Sequence, residues 1–278
     1  MKKRTMAIAF ACLLCMISCL CSCNNTHITD ATVDSAQSSK AIPDTTKTQE
    51  ATTENTNSTE ESTTQVTNAA EPLSPVSADW FDDAVFLGDS VTLKLSYYCD
   101  SHIEALGDAQ FFCAGSLGYT NALWELDREN AVHPFYRGAN YLSQDCAAVT
   151  GANKVFVMLG MNDIALYGID NTLTNAETLM NNILTQSPEV SIYLQSVTPI
   201  INGKERGDLT NANIRAFNKK LQEFCRQNGY RYLDIYGLLA DEDGYLPLDY
   251  CGDQDAQGIH FTDAACELWA NYLKENVG

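Results

Sequence analysis

The chain has 278 residues, 36 acidic against 17 basic, for a formal net charge of −19. An excess of that size argues against nucleic acid and anionic membrane surfaces as partners, because both repel a polyanion. It does not name a substrate, since acidity also serves solubility.

In chain order, Met1 to Cys23 opens with Lys2, Lys3 and Arg4 and continues as an apolar stretch from Met6 to Leu20. This reads as a secretory signal: the apolar run is too short for a membrane span, and no basic residues follow it. Leu20-Cys21-Ser22-Cys23 resembles a bacterial lipobox, which implies cleavage before Cys23 and lipid on its thiol, leaving the protein on the outer face of the cell membrane. Cys19, after Met16-Ile17-Ser18, is a second candidate, and ordinary cleavage without lipid is the competing reading. Several acyl chains on one cysteine make a firm anchor, since each buried methylene contributes about 0.8 kcal/mol. Asn24 to Pro75 is rich in Thr, Ser, Asn, Gln and Glu and nearly free of aromatic and large aliphatic residues. Such a segment buries too little apolar surface to offset chain ordering and is expected to be a disordered tether, with an end-to-end distance of roughly 40 Å.

Val76 to Gly278 is long enough for one ordinary domain. It carries 28 acidic residues against 12 basic ones. Six of the 11 cysteines fall here: Cys99, Cys113, Cys146, Cys225, Cys251 and Cys266. They lack CxxC and CxxH spacing, which argues against a zinc site, and no metal or cofactor is expected. An even number in an exported domain permits disulfides, but Cys113 and Cys266 sit in apolar patterns that suit buried thiols, and no pairing follows from the sequence.

Five strands are expected: Ala84 to Leu87, Gln110 to Ala114, Lys154 to Leu159, Val190 to Val197 and Tyr230 to Ile235. Helical spacing follows the first strand (Val91, Leu95, Tyr98) and recurs over Leu173 to Thr185, Leu209 to Asn228 and Asp263 to Glu275. Alternating apolar strands and helices imply a parallel sheet covered on both faces. Tyr119 to Val149 is irregular and is expected to form a lid or substrate loop.

Three segments carry chemistry. Gly88-Asp89-Ser90 follows the first strand, Gly160-Met161-Asn162-Asp163 follows the third, and Gly258-Ile259-His260-Phe261 lies near the C-terminus. Together they supply a hydroxyl nucleophile, an amide donor and an imidazole base, the parts needed to attack an ester carbonyl and hold the oxyanion. Ligand sites in such sheets lie beyond the carboxyl ends of the strands, where Ser90, Gly118 and Asn162 all fall. Each residue alone has a plainer reading. Ser90 could cap a helix, Gly118 could only turn the chain, Asn162 and Asp163 could cap the next helix, and His260 could be a surface histidine.

Across about Trp80 to Val277 the chain resembles the SGNH, or GDSL-type, hydrolases. The resemblance implies a three-layer flavodoxin-like α/β/α fold with about five parallel strands. It implies Ser90 as nucleophile, His260 as base, and an oxyanion hole built from the Gly118 N–H, the Asn162 amide and the Ser90 N–H. Val91 stands where the family's name has leucine. The family usually has aspartate three residues before the histidine; here that residue is Gln257. Glutamine can orient the ring but cannot offset imidazolium charge. Asp255 is preferred as the acid because it is nearer in sequence, with Asp253 the alternative. A Ser–His dyad and lost activity are the remaining readings. Ala114-Gly115-Ser116-Leu117-Gly118 is one residue from a nucleophile elbow, but about 35 residues precede it in the domain, too few for the strands an α/β-hydrolase places before its serine. The function implied is an exported esterase acting on small O-acyl esters, acetyl foremost, on carbohydrate. The alternatives are a non-catalytic glycan-binding lipoprotein, which Gln257 favours, and an O-acyltransferase with the same residues.

Overall fold

The computed structural model describes residues 74–278; the signal, Cys23 and nearly all of the tether lie outside the described residues. Strand β1 (Ala84–Gly88) leads into helix α1 (Ser90–Ser101), and the short α2 (Ile103–Leu106) precedes β2 (Gln110–Cys113). Helix α3 (Tyr119–Ala122), a hairpin of β3 (Phe135–Tyr136) and β4 (Ala139–Asn140), and α4 (Cys146–Thr150) fill the stretch before β5 (Lys154–Met158). Then come α5 (Ile164–Gln186), β6 (Ser191–Gln195), α6 (Asn211–Asn228), β7 (Arg231–Leu233), α7 (Ile235–Leu239) and α8 (Asp263–Asn276).

The five long strands form one parallel sheet in the order β2-β1-β5-β6-β7. Every position of β1 is buried, as an interior parallel strand requires, and its side chains alternate between two cores. Val85 and Leu87 join Val155 and Val157 against α3 to α6. Phe86 joins Phe156 and Tyr193 on the other face, beneath α1, α2, α7 and α8. These rings stack across neighbouring strands, with centroids 4.6 Å and 4.5 Å apart. The result is the three-layer α/β/α fold expected from the alternation of strands and helices.

Two departures from the sequence-based reading have local causes. The span of α5 opens at Ile164 rather than Leu173, but Gly168 (φ 76°, ψ 163°) is non-helical and kinks it, separating a short first turn from the long helix that carries the expected periodicity. The irregular stretch contains the small hairpin, whose tight turn holds Arg137 and Gly138 at positive φ. The six cysteines of the described residues are all buried and unpaired. Burial pushes the thiols of Cys99, Cys146, Cys225 and Cys266 up to about 12 and that of Cys251 to about 11.

Candidate active site

The strand order brings the chemistry together. β1 and β5 are adjacent and paired from Ala84↔Lys154 to Gly88↔Met158, so Ser90 and Asn162 leave neighbouring strands at the same level. β2 lies on the other side of β1 and delivers Gly118 to the same edge.

Asp89, not Ser90, caps α1: its carboxylate accepts the Val91 N–H at 2.9 Å. That leaves the Ser90 hydroxyl free of capping duty, and its Oγ lies 2.9 Å from His260 Nε2. The histidine arrives on a loop closed at its base by an antiparallel bridge between Cys251 and Phe261. Asp253 sits inside that loop, with Oδ2 2.7 Å from His260 Nδ1. Its Oδ1 accepts the backbone N–H groups of Ile259 and His260, both at 3.0 Å. Burial alone would raise this carboxyl, but the bonds from the His260 ring and backbone prevail and hold it below the ordinary aspartate range. An ionised partner at Nδ1 fixes the proton there and leaves the Nε2 lone pair facing Ser90.

The carboxylate on the ring is thus Asp253, and not Asp255 as expected from the sequence. Asp255 is exposed and makes no contact with the ring. Gly258, at φ 72°, turns the chain so that the residue seven places before His260 reaches it. Gln257, where the family usually has aspartate, is exposed and lines a cavity instead. The other histidines of the domain serve backbone: His102 Nδ1 meets the Tyr98 carbonyl and His133 Nε2 the Glu125 carbonyl. Ser116 is exposed at φ 63°, and its carbonyl accepts from Asn121.

The oxyanion side is more tightly tied than the sequence suggests. Asn162 Nδ2 donates to the Leu117 carbonyl at 2.9 Å and to Asp89 Oδ2 at 3.3 Å. The Gly118 N–H, expected to face the oxyanion, donates to Asn121 Oδ1 at 2.7 Å. The reason is helical capping: Gly118 is the N-cap of α3, and Asn121 reaches back to satisfy its N–H. Gly118 must nonetheless be glycine, since a Cβ there would lie 2.4 Å from the Asp163 carboxylate. Asp163 itself does not cap α5; its two oxygens accept the N–H groups of Tyr119 and Thr120 at 2.8 and 2.9 Å and bind the β2 loop to the β5 loop. Among the described residues the Ser90 N–H, in the first turn of α1, has no backbone partner outside its helix and no side-chain acceptor.

Asp89 is, with Asp163, a buried carboxyl of the site. Burial pushes its carboxyl up to about 6, against the opposing pull of the Val91 N–H and of His260. Sequence reasoning gives no role to Asp89 or Asn121. Asp89 directly precedes Ser90, and aspartate before a helix is a recognisable cap; Asn121 carries no local signal.

Two cavities meet at Asn162. One, about 370 Å³, is lined by Ser116, Asn121, Trp124, Asn130 and Tyr167, and so draws its wall from the irregular stretch. The other, about 130 Å³, has Met161, Ile200 and Ile259 at its floor and Lys204, Arg206 and Gln257 among its walls.

Comparison with known proteins gives three findings. A 116-residue segment is 30% identical to N-acylneuraminate cytidylyltransferase of Streptococcus agalactiae serotype V, covering 41% of this chain and 26% of that protein. The chain thus spans about a quarter of the length of the curated relatives it matches. A GDSL-like lipase from Bacteroides thetaiotaomicron VPI-5482 shares the fold with a TM-score of 0.52 at 16% identity, covering 69% of this chain and 86% of that one. The model of the GDSL-like lipase/acylhydrolase family matches residues 86–268, which hold the serine, the asparagine, the histidine and Asp253, and the chain belongs to that family.

Proposed function

We propose that the protein is an exported, lipid-anchored serine esterase that removes a small acyl group, acetyl foremost, from a carbohydrate ester. The observation that carries the reading is the unbroken line of contacts from Ser90 Oγ through His260 to Asp253, 2.9 Å and 2.7 Å long. Family membership supports ester hydrolysis.

In the proposed reaction the Ser90 hydroxyl gives its proton to His260 Nε2 as Oγ bonds to the ester carbonyl carbon. The carbonyl electrons move onto oxygen, where the Ser90 N–H donates and the Asn162 amide joins it by giving up its long 3.3 Å bond to Asp89 Oδ2. The Gly118 N–H joins them only if Asn121 releases it. Collapse expels the alcohol oxygen, which takes the proton from Nε2, and leaves an acyl-Ser90. Water then gives a proton to Nε2 and attacks the acyl carbon. The second collapse returns Oγ its proton and releases the carboxylic acid. Asp253 stays ionised and balances the imidazolium in both halves. Preorganised donors at an oxyanion are commonly the largest single contribution to such catalysis.

The cavities support the substrate class. The smaller has an apolar floor and room for a short acyl group. The larger presents Trp124 and Tyr167 beside Asn121 and Asn130, a mixture of apolar faces and amides that suits a sugar ring. The glycan-binding alternative rested on Gln257; Asp253 on the ring removes that argument. The anchor reading rests on the sequence of Leu20 to Cys23.

The test is turnover of p-nitrophenyl acetate, butyrate and octanoate by the purified full chain, with Ser90→Ala as control. A fall in kcat/KM with acyl length and loss of several orders of magnitude in Ser90→Ala are expected. Wild-type activity in Ser90→Ala would remove the mechanism.

A further inference from the structure

The smaller cavity holds a feature the esterase reading does not use. Lys204 and Arg206 both direct their side-chain nitrogens to one acceptor, the carbonyl oxygen of Ala256, at 3.4 Å and 3.0 Å. Two like charges therefore converge on the loop that carries His260. Neither forms an ion pair among the described residues. Glu205 lies between them in sequence, yet its carboxylate accepts the Asn211 N–H at the start of α6. In a domain with more than twice as many acidic as basic residues, the lining of this cavity holds two cations and no carboxylate.

The pair lies close to the chemistry. Lys204 is half-buried, and its stem packs on Gly258: a Cβ on that glycine would lie 2.8 Å from Lys204 Cγ. Gly258 is two residues from His260. The cavity that both cations line also includes Asn162 and Ile259. A carbonyl gives the pair only a neutral acceptor. An anion there would replace it with charge-assisted bonds, and the arginine fork suits carboxylate and phosphate oxygens.

We infer that the ester substrate carries an anionic group, a carboxylate or phosphate, which Lys204 and Arg206 bind at the rim of the smaller cavity. This rests on the esterase reading and narrows its substrate class. The anion belongs either to the acyl part or to the alcohol part, and the experiment separates the two.

The full chain is assayed on two matched pairs. One pair is 4-acetoxybenzoate and methyl 4-acetoxybenzoate, with the charge on the alcohol. The other is mono-4-nitrophenyl adipate and its methyl ester, with the charge on the acyl group. In the first pair the free carboxylate makes the phenol a poorer leaving group than its methyl ester does, so intrinsic reactivity works against the expected result. In at least one pair the anionic member should have the higher kcat/KM. In Lys204→Met/Arg206→Met that ratio should fall roughly tenfold or more, as expected when a bond to a charged group is lost. Arg206→Met alone should lose part of it; this side chain is exposed, so its removal does not endanger folding. Lys219→Met, which removes an equal charge from the outer face of α6, should leave the ratio unchanged. Added salt should lower the ratio of the wild type and not that of the double variant.

Ser90-dependent turnover in which neither pair favours the anion, or in which the double variant keeps the preference, overturns the inference and leaves the esterase reading standing. Absence of Ser90-dependent turnover on all four esters, with p-nitrophenyl acetate also untouched, overturns both.

Discussion

Replacing Asp253 by asparagine tests the proposed chemistry at its most constrained point. The two oxygens of Asp253 have different duties: Oδ1 receives two backbone N–H groups and Oδ2 receives the ring Nδ1. An asparagine amide has one oxygen and one NH₂. Two backbone donors at 3.0 Å demand the oxygen at the Oδ1 position, because an NH₂ there would face two N–H groups. The NH₂ then faces Nδ1, and the ring can satisfy it only by carrying its proton on Nε2. That is the nitrogen 2.9 Å from Ser90 Oγ, and once protonated it cannot accept the serine proton. The substitution thus locks the wrong tautomer with little change in shape. The expected loss is about 10⁴ in kcat, or about 5.5 kcal/mol of barrier, the scale seen when a triad carboxylate is neutralised. Steady-state kinetics on p-nitrophenyl acetate near neutral pH measure it, with circular dichroism to show that the fold is retained. Asp255→Asn, on an exposed side chain of the same loop, should stay within a few-fold of wild type. If Asp253→Asn kept more than a tenth of wild-type kcat, the carboxylate would not be working through the ring and a Ser90–His260 dyad would remain.

Asn162→Ala should lower kcat by about 10²–10³ with a smaller effect on KM, as loss of one oxyanion donor does; an effect confined to KM would move Asn162 to ground-state binding. Asp89→Asn should change the pH dependence of stability. The folded carboxyl titrates at about 6 against 3.8 for the free group, so between those values the folded state holds a proton that the unfolded state has lost. The Asp89 contribution should therefore fall by about 3 kcal/mol as pH rises from 3.8 to 6 and then level, opposite in sign to that of carboxyls held low, such as Asp253, and it is read as the difference between the wild-type and variant profiles. The asparagine variant should lack that slope, and parallel pH profiles from denaturant melts would show that the Asp89 charge is not the cause. Metabolic labelling with a palmitate analogue should mark the full-length wild type and not Cys23→Ala; labelling that survives in the variant would remove the anchor at that residue.

The parts of the site legible in the sequence are those set by one local segment. The run Ala84 to Leu87 is buried at every position, and residues just past the carboxyl end of a buried strand lie at the sheet edge, so Ser90 and Asn162 can be placed from sequence alone. The acid cannot. Asp253 and Asp255 differ by one alternation along a loop, and the choice between them is made by the Cys251–Phe261 bridge and the left-handed turn at Gly258, both tertiary. The Gly118 N–H departs from expectation for a related reason. Its orientation depends on Asn121, which closes a capping arrangement on a four-residue helix too short to show periodicity. Asp163 has the sequence position of a local cap and instead spans to Tyr119 and Thr120, more than 40 residues away in sequence.

The Cys251–Phe261 bridge divides the machinery into two mechanical parts. Ser90 and Asn162 hang from β1 and β5, whose ladder lies at the centre of the sheet. His260 and Asp253 both ride on one pinched loop, with the Gly252 N–H donating to the His260 carbonyl at 2.8 Å across its neck. A displacement of that loop as a unit would break the contact to Ser90 Oγ and leave the Nδ1 bond to Asp253 intact, with the imidazole proton still on the correct nitrogen. Amide exchange should sort the same way, with β1 and β5 protected up to global unfolding and the 251–261 loop released earlier as a single unit.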